Sequence, residues 1–327
     1  TQIKKNLKYN ITWTAIAAIF YFVLFFLYNS GKINIFTDAI IANIGINIIL
    51  AVSLNLIIGF GGQFSLGHAG FMAIGAYATA IITAKSPTFL SFFLSMLIGV
   101  VISGVIALVV GIPTLRLKGD YLAIATLGVS EIIRILIINF SGLTNGPAGI
   151  FGLPLFSNWQ IIFIVMVLTI VFISNYMNSS FGRRTLSVRE DEIAAEAMGV
   201  NTTKYKVLAF VIGGIFASIG GSLYASYQQS VFPSDFTFMK SIDILIIVVF
   251  GGIGSTTGAI VSAVVLGFLN MYLQDLGNLR MIFYALAIIL IMIFKPGGLL
   301  GSKEFSVKKI FQRFGKKGGE SNASANR

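Results

Sequence analysis

The sequence predicts an all-α polytopic membrane protein of about ten transmembrane helices, some broken at glycines, with a charged helix projecting into the cytoplasm. Three observations carry this. Of 327 residues, 56% are hydrophobic and 11% charged, at a mean hydropathy of +0.89, which is more apolar surface than one soluble core buries. Apolar runs long enough to cross a hydrocarbon layer recur along the chain. Residues 181–206 break that pattern, setting Arg183, Arg184, Arg189, Lys204 and Lys206 against Glu190, Asp191, Glu192 and Glu196, so water must reach them.

Lys4, Lys5 and Lys8 mark residues 1–10 as a cytoplasmic N-terminus. The apolar run 11–28 reaches about 27 Å at the helical rise, nearly a hydrocarbon thickness. Its length and aromatic content, with no small-residue cleavage pattern after it, mark a retained span rather than a secretory signal. Further spans are expected at 39–60, 63–83, 89–111, 121–139, 159–177, 207–229, 241–254, 258–273 and 281–294. The transmembrane domain thus covers 11–294, interrupted by a cytoplasmic loop at 178–206. A basic cytoplasmic tail, 295–327, is expected to be disordered.

With the first lysines inside and sides alternating, eighteen of the 23 basic residues fall in the cytoplasm. These are the three N-terminal lysines, Arg116 and Lys118, the five of the charged loop and eight in the tail. Lys32, Lys85, Lys240 and Arg280 fall outside, and Arg134 lies within a span. Both termini are therefore expected in the cytoplasm. The same bias, with a weak attraction to anionic membrane lipid, accounts for the net charge of +11, and no nucleic-acid partner is expected. The uncharged, Gly/Pro-rich stretch 141–158 is the longest external segment, either an outer docking surface or a plain connection.

Within the charged loop, residues 191–198 (DEIAAEAM) are helix formers with acids in the first turn, and Gly199 follows as a stop. Ala194, Ala195 and Ala197 make a narrow helix that suits a groove on another protein. The alternative on composition is a solvated loop that follows the charge asymmetry.

FGGQFS at 60–65 and FGGIGS at 250–255 share the pattern FGGxxS. Paired glycines break helices, and broken helices are tolerated in lipid where protein or a water-filled cavity covers the freed backbone. Corresponding breaks point to a repeat beside a transport path, or to a coincidence of six residues. The residues assigned to the path or its gate are Gly61, Gly62, Gln63, Ser65, His68, Gly251, Gly252 and Ser255.

Small residues recur every four positions at Ser95, Gly99, Ser103, Ala107 and Gly111, and again at Gly213, Ala217, Gly221 and Ala225, flanked by Gly214, Ser218, Ser222 and Ser226. Residues four apart share a helix face, so these stripes read as close-packing surfaces. Glu131 and Arg134, three apart, can pair on one face within the membrane. Asp243 lies near the outer end of its span, and His68 is expected to contact substrate or to hold a broken helix.

The chain has no cysteine, which excludes disulfides and thiolate metal sites, and its single histidine, His68, argues against a histidine-based metal or hydrolase site. No GxxxxGK[ST] phosphate loop occurs. The chain reads as a non-enzyme whose energy comes from elsewhere, with no cofactor of its own.

These motifs resemble the membrane permease subunits of bacterial branched-chain amino-acid ABC transporters, of the LivM type. The resemblance rests on LNLIIGFGGQFSLGHAGFMAIGAYATA at 54–80, DYLAIATLGVSEIIRIL at 120–136 and LTNGPAGI at 143–150. It continues in GRRTLSVREDEIAAEAMGVNTTKYKVLAFVIGG at 182–214, VVFGGIGSTTGAIVSA at 248–263 and KPGGLLG. It implies a subunit of the bacterial plasma membrane that moves leucine, isoleucine or valine inward by alternating access. It also implies a second permease of the LivH type, two ATPase subunits that hold ATP and Mg, and an external solute-binding protein. By the same resemblance the charged loop is the ATPase coupling segment, through Arg189, Glu190, Asp191, Glu192, Glu196 and Gly199. Permeases for urea and short amides share the pattern. An ion-coupled secondary transporter using Glu131 or Asp243 is the rival from another class, and a non-transporting assembly subunit a third reading.

Overall fold

The computed structural model describes residues 34–273 except residue 118, with isolated positions among 21–30 and 282–299. The expected spans 11–28 and 281–294, the N-terminus and the basic tail lie wholly or largely outside the described residues.

The described chain is helical almost throughout. Helix α1 (Ile35–Asn55) runs into a π-helical turn, Leu56–Phe60, and then breaks. There follow α2 (His68–Lys85), α3 (Phe89–Thr114), α4 (Asp120–Asn139), the single turn α5 (Ser141–Thr144) and α6 (Trp159–Asn178). The charged loop is two helices, α7 (Ser180–Glu190) and α8 (Glu192–Ala197). The chain ends its described part with α9 (Thr202–Gln228), α10 (Phe238–Gly251) and α11 (Thr256–Tyr272). In the Gly/Pro-rich connection, β1 (Ile150–Phe151) pairs antiparallel with β2 (Ser230–Val231), Ile150 opposite Val231.

Five helical stretches are long and apolar enough to cross a membrane: Thr37–Phe60, Phe89–Thr114, Asp120–Asn139, Trp159–Asn178 and Thr202–Gln228. The crossings expected at 241–254 and 258–273 are α10 and α11, which meet the same test only as a pair bent by 117°. That geometry is one broken span or a re-entrant loop, so the described residues supply five spans, or six with the bent pair counted once. The reason is length: α10 has 14 residues and α11 17, each short of the ~20 that a bilayer requires. The expected span at 63–83 becomes α2, which starts only at His68 and is buried along most of its length, so it need not be compatible with lipid.

The centre is built by the small residues. In α3 the buried positions are Phe92 and the stripe Ser95, Gly99, Ser103, Ala107 and Gly111, while Val101, Val105, Leu108 and Val109 face outward. The stripe of α9 is buried likewise. A Cβ on Gly75 would lie 1.8 Å from the Ser218 carbonyl oxygen, and one on Gly221 1.9 Å from that of Met72, so the α2 and α9 backbones touch. Hydroxyls fasten the contact. Ser222 Oγ donates to the Gly75 carbonyl at 3.1 Å, and Ser103 Oγ to that of Gly214 at 2.8 Å. Without a hydrophobic driving force between helices in lipid, such close approach and hydrogen bonding hold them together.

Candidate functional site

The two FGGxxS segments are built alike and lie against each other. In each, the phenylalanine, Phe60 or Phe250, is buried, and the third residue, Gly62 or Gly252, has positive φ, at 66° and 108°. That conformation costs glycine little and any side chain much. In each, the serine accepts a hydrogen bond from a glycine amide further on: Ser65 Oγ from Gly67 N at 3.3 Å, Ser255 Oγ from Gly258 N at 3.0 Å. The link between them is Asn55, on the last residue of α1, whose Oδ1 accepts from Gly254 N at 2.9 Å. Gly59 fits beneath it. A Cβ there would stand 2.1 Å from Asn55 Oδ1 and 2.5 Å from Gly254 N. At the α10–α11 bend, Gly251 packs on Gly258, and Leu299 N donates to the Phe250 carbonyl at 2.8 Å.

The charged helix pair reaches into this junction. Arg189, on the last turn of α7, donates from Nη1 to the Gly59 carbonyl at 2.5 Å. Its stem lies over Gly62, and a Cβ on Gly254 would come 2.9 Å from Nη1. One guanidinium thus touches both breaks. A second tie runs through Gln63, whose Nε2 donates to the Lys206 carbonyl at 3.0 Å, while Lys206 Nζ donates to Glu192 Oε1 at 2.6 Å. Arg189 and Glu190 also approach to 3.8 Å, an exposed pair of little energetic weight.

The helix expected over 191–198 is α8, with Asp191 as its N-cap. Asp191 Oδ1 accepts from Ile193 N at 2.9 Å and Ala194 N at 3.0 Å, satisfying amides that have no partner within the helix. Gly199, at φ 79°, ends the helix. Ala195 is buried with Val188 and Tyr205, and Arg184 lies over the Tyr205 ring. Glu192 accepts from the Lys206 ammonium, and Glu196, exposed, accepts from Thr202 Oγ1 at 2.7 Å. The exposed side of this segment carries two large apolar side chains: Ile193 is 81% exposed and Met198, at the C-cap, 83%. The sequence reading passed over both, although two large apolar side chains in a charged helix are a visible signal. The helix α7 adds to the one expected over 191–198, and its buried Gly182, Thr185 and Val188 recur every three residues.

On the far side of the first break, hydroxyls restart the helix. Leu66 N donates to Thr126 Oγ1 at 3.0 Å and Ala69 N to Ser241 Oγ at 2.9 Å. His68 is 1% exposed, with Nε2 2.9 Å from Ser53 Oγ on α1. Ser53 Oγ also lies 2.9 Å from the Leu50 carbonyl, and the imidazole–hydroxyl pair joins the two helices across the break. Asn55 Nδ2, Gln63 Oε1, His68 Nδ1 and Ser130 Oγ are buried and find no hydrogen-bond partner among the described residues, polar atoms gathered around the broken helices. Glu131 and Arg134 stand apart from this junction, paired with each other on α4 at 2.7 Å.

Residues 36–294 match the family described as branched-chain amino acid transport system / permease component. The chain is 35% identical to the high-affinity branched-chain amino acid transport system permease protein LivM of Salmonella typhimurium, over 84% of this chain and 71% of that protein. It is 25% identical to the probable branched-chain amino acid transport permease protein LivM of Methanocaldococcus jannaschii, over 85% and 89% of the two chains. A partial match, 29% identical over 46% of this chain and 48% of the other, is to the high-affinity branched-chain amino acid transport system permease protein LivH of Salmonella typhimurium. No solved structure matches the chain significantly.

Proposed function

This chain belongs to the family of branched-chain amino acid transport permease components, and from that premise we propose that it is one of two unlike permeases in an ABC importer for leucine, isoleucine and valine. Its partner is a permease of the LivH type. Two ATPase subunits hold ATP and Mg, and an external solute-binding protein delivers the substrate. The subunit sits in the bacterial plasma membrane with both termini and α7–α8 in the cytoplasm, and α10 and α11 form one broken span or re-entrant loop rather than two crossings.

The observation that carries this reading is the Arg189 contact with Gly59. Ile193 and Met198 of α8 enter a groove on an ATPase subunit. When ATP draws the ATPases together, α7 and α8 move as one body around Val188, Ala195 and Tyr205. Arg189 and the Gln63–Lys206–Glu192 chain pass that movement to the two glycine breaks. Backbone packed on backbone has two discrete arrangements more readily than a continuous range, which suits alternating access. The unpartnered polar atoms around the first break then serve a substrate that passes them.

The test is uptake by the complete complex in proteoliposomes. Labelled leucine, isoleucine or valine should accumulate only with ATP and Mg on the ATPase side, and should go on accumulating after an ionophore collapses every ion gradient. Accumulation driven by a gradient without ATP overturns the reading, and uptake of urea or short amides in their place overturns its substrate.

A further inference from the structure

At the end of α9 opposite the charged helix pair, a second polar cluster gathers around the turn Pro233–Phe236. The Phe236 ring is buried between Tyr77 of α2, at 6.2 Å, and Tyr224 of α9, at 6.0 Å. Asp235, beside it, is half-buried and accepts from Phe232 N at 3.1 Å. Lys240, on the first turn of α10, is half-buried within electrostatic reach of both Asp235 and Asp243, yet makes a direct ion pair with neither. Asp243 is exposed, three residues along the same helix face. Burial pushes the Asp235 carboxyl up from its ordinary value, against the opposing pull of the Phe232 amide and Lys240. Tyr77 is 3% exposed, and its hydroxyl finds no hydrogen-bond partner among the described residues and lies close enough to Asp235 to feel its charge.

A cation and two carboxylates that stand near one another unpaired, in partly buried surroundings, retain charge that a ligand can neutralise. The set has one basic group for an anion, two acidic groups for a cation and an idle hydroxyl. An α-amino acid carries its carboxylate and ammonium on one carbon and so answers both signs at once. A lipid phosphate answers Lys240 alone and meets two carboxylates. We propose that Asp235, Lys240 and Asp243, with the Tyr77 hydroxyl, form a station that receives the zwitterionic head of an α-amino acid at the end of the permease remote from α7 and α8. The station rests on the reading of the chain as an amino-acid permease. Lys240 takes the carboxylate, the two aspartates take the ammonium, and the side chain is left to select among substrates elsewhere.

The experiment measures maximal uptake by the complete complex in proteoliposomes at saturating loaded binding protein, alongside basal ATPase activity and recovery of assembled complex. Lys240→Met and Asp243→Asn are expected to lower uptake about tenfold, with assembly and basal ATPase unchanged, and Lys240→Arg to restore most of it. Wild-type uptake undiminished in Lys240→Met and Asp243→Asn overturns the station alone. Lys240→Arg as impaired as Lys240→Met overturns it as well, since a packing role rather than a charge is then at stake. A wild-type complex that takes up no amino acid overturns the permease reading and the station with it.

Discussion

The Arg189 guanidinium donates to the Gly59 carbonyl at 2.5 Å, across 130 residues of sequence, and joins the charged helix pair to the junction of two helix breaks. Arg189, expected from the sequence to belong to the coupling segment, thus makes its contact on the side of the helix breaks.

Arg189→Ala should therefore separate ATP hydrolysis from transport. A hydrogen bond from a charged donor contributes about 1.5–3 kcal/mol, so its loss should lower uptake per ATP about tenfold or more while ATPase binding persists. Arg189→Lys keeps the charge without the planar fork and should fall between. The measurement is amino acid accumulated per phosphate released in proteoliposomes. An unchanged ratio in Arg189→Ala removes the contact from the transmission route.

Gly59→Ala should damage the junction itself. Its Cβ would meet Asn55 Oδ1 at 2.1 Å and Gly254 N at 2.5 Å, and neither partner can yield without opening the Asn55–Gly254 hydrogen bond. Overpacking of this kind costs about 1–3 kcal/mol, visible as a lower thermal midpoint in detergent. Gly128→Ala on α4 is the contrast, since nothing lies within 4 Å of its added Cβ. It should be neutral or stabilise by about 0.5–1 kcal/mol through helix propensity.

The parts of this architecture legible in the sequence are those written at fixed spacing. The stripes from Ser95 to Gly111 and from Gly213 to Ala225 lie on the buried faces of α3 and α9, because four-residue spacing fixes a helix face whatever the partner. The FGGxxS echo marked both breaks, since only glycine holds the φ that Gly62 and Gly252 adopt without penalty. Contacts between distant segments were not legible. Neither the Asn55 bond to Gly254 nor the direction of Arg189 follows from local pattern, and the π-helical turn at Leu56–Phe60 has the composition of any apolar span. Apolar length alone made two crossings of α10 and α11, where a 117° bend joins them.

The α2–α9 contact gives a sharper test of that stripe. Gly75→Ala and Gly221→Ala each drive a methyl into a backbone carbonyl, at 1.8 and 1.9 Å, so the two helices must separate. Both variants should lose most of their yield of folded, monodisperse protein in detergent. Gly104→Ala, on the neighbouring face of α3 with Ile215 3.7 Å away, should express normally. Equal yields for all three would mean that the helices are not packed backbone to backbone.

The outward face of α8 yields a prediction that separates docking from internal support. Ile193 and Met198 contribute little to the fold at more than four-fifths exposure, so Ile193→Asp and Met198→Asp should leave the thermal midpoint unchanged. If an ATPase groove receives them, desolvating a carboxylate there should weaken co-purification of the ATPase subunits about tenfold or more. Glu192→Gln acts otherwise. It removes the negative charge from the 2.6 Å pair with the mostly buried Lys206 and should cost about 0.5–1.5 kcal/mol of stability, while the exposed apolar pair keeps its place. Quantifying ATPase recovery and melting together on the three variants distinguishes the roles. Loss of ATPase in Glu192→Gln with full retention in Ile193→Asp and Met198→Asp would move the docking surface from the apolar pair to the acids.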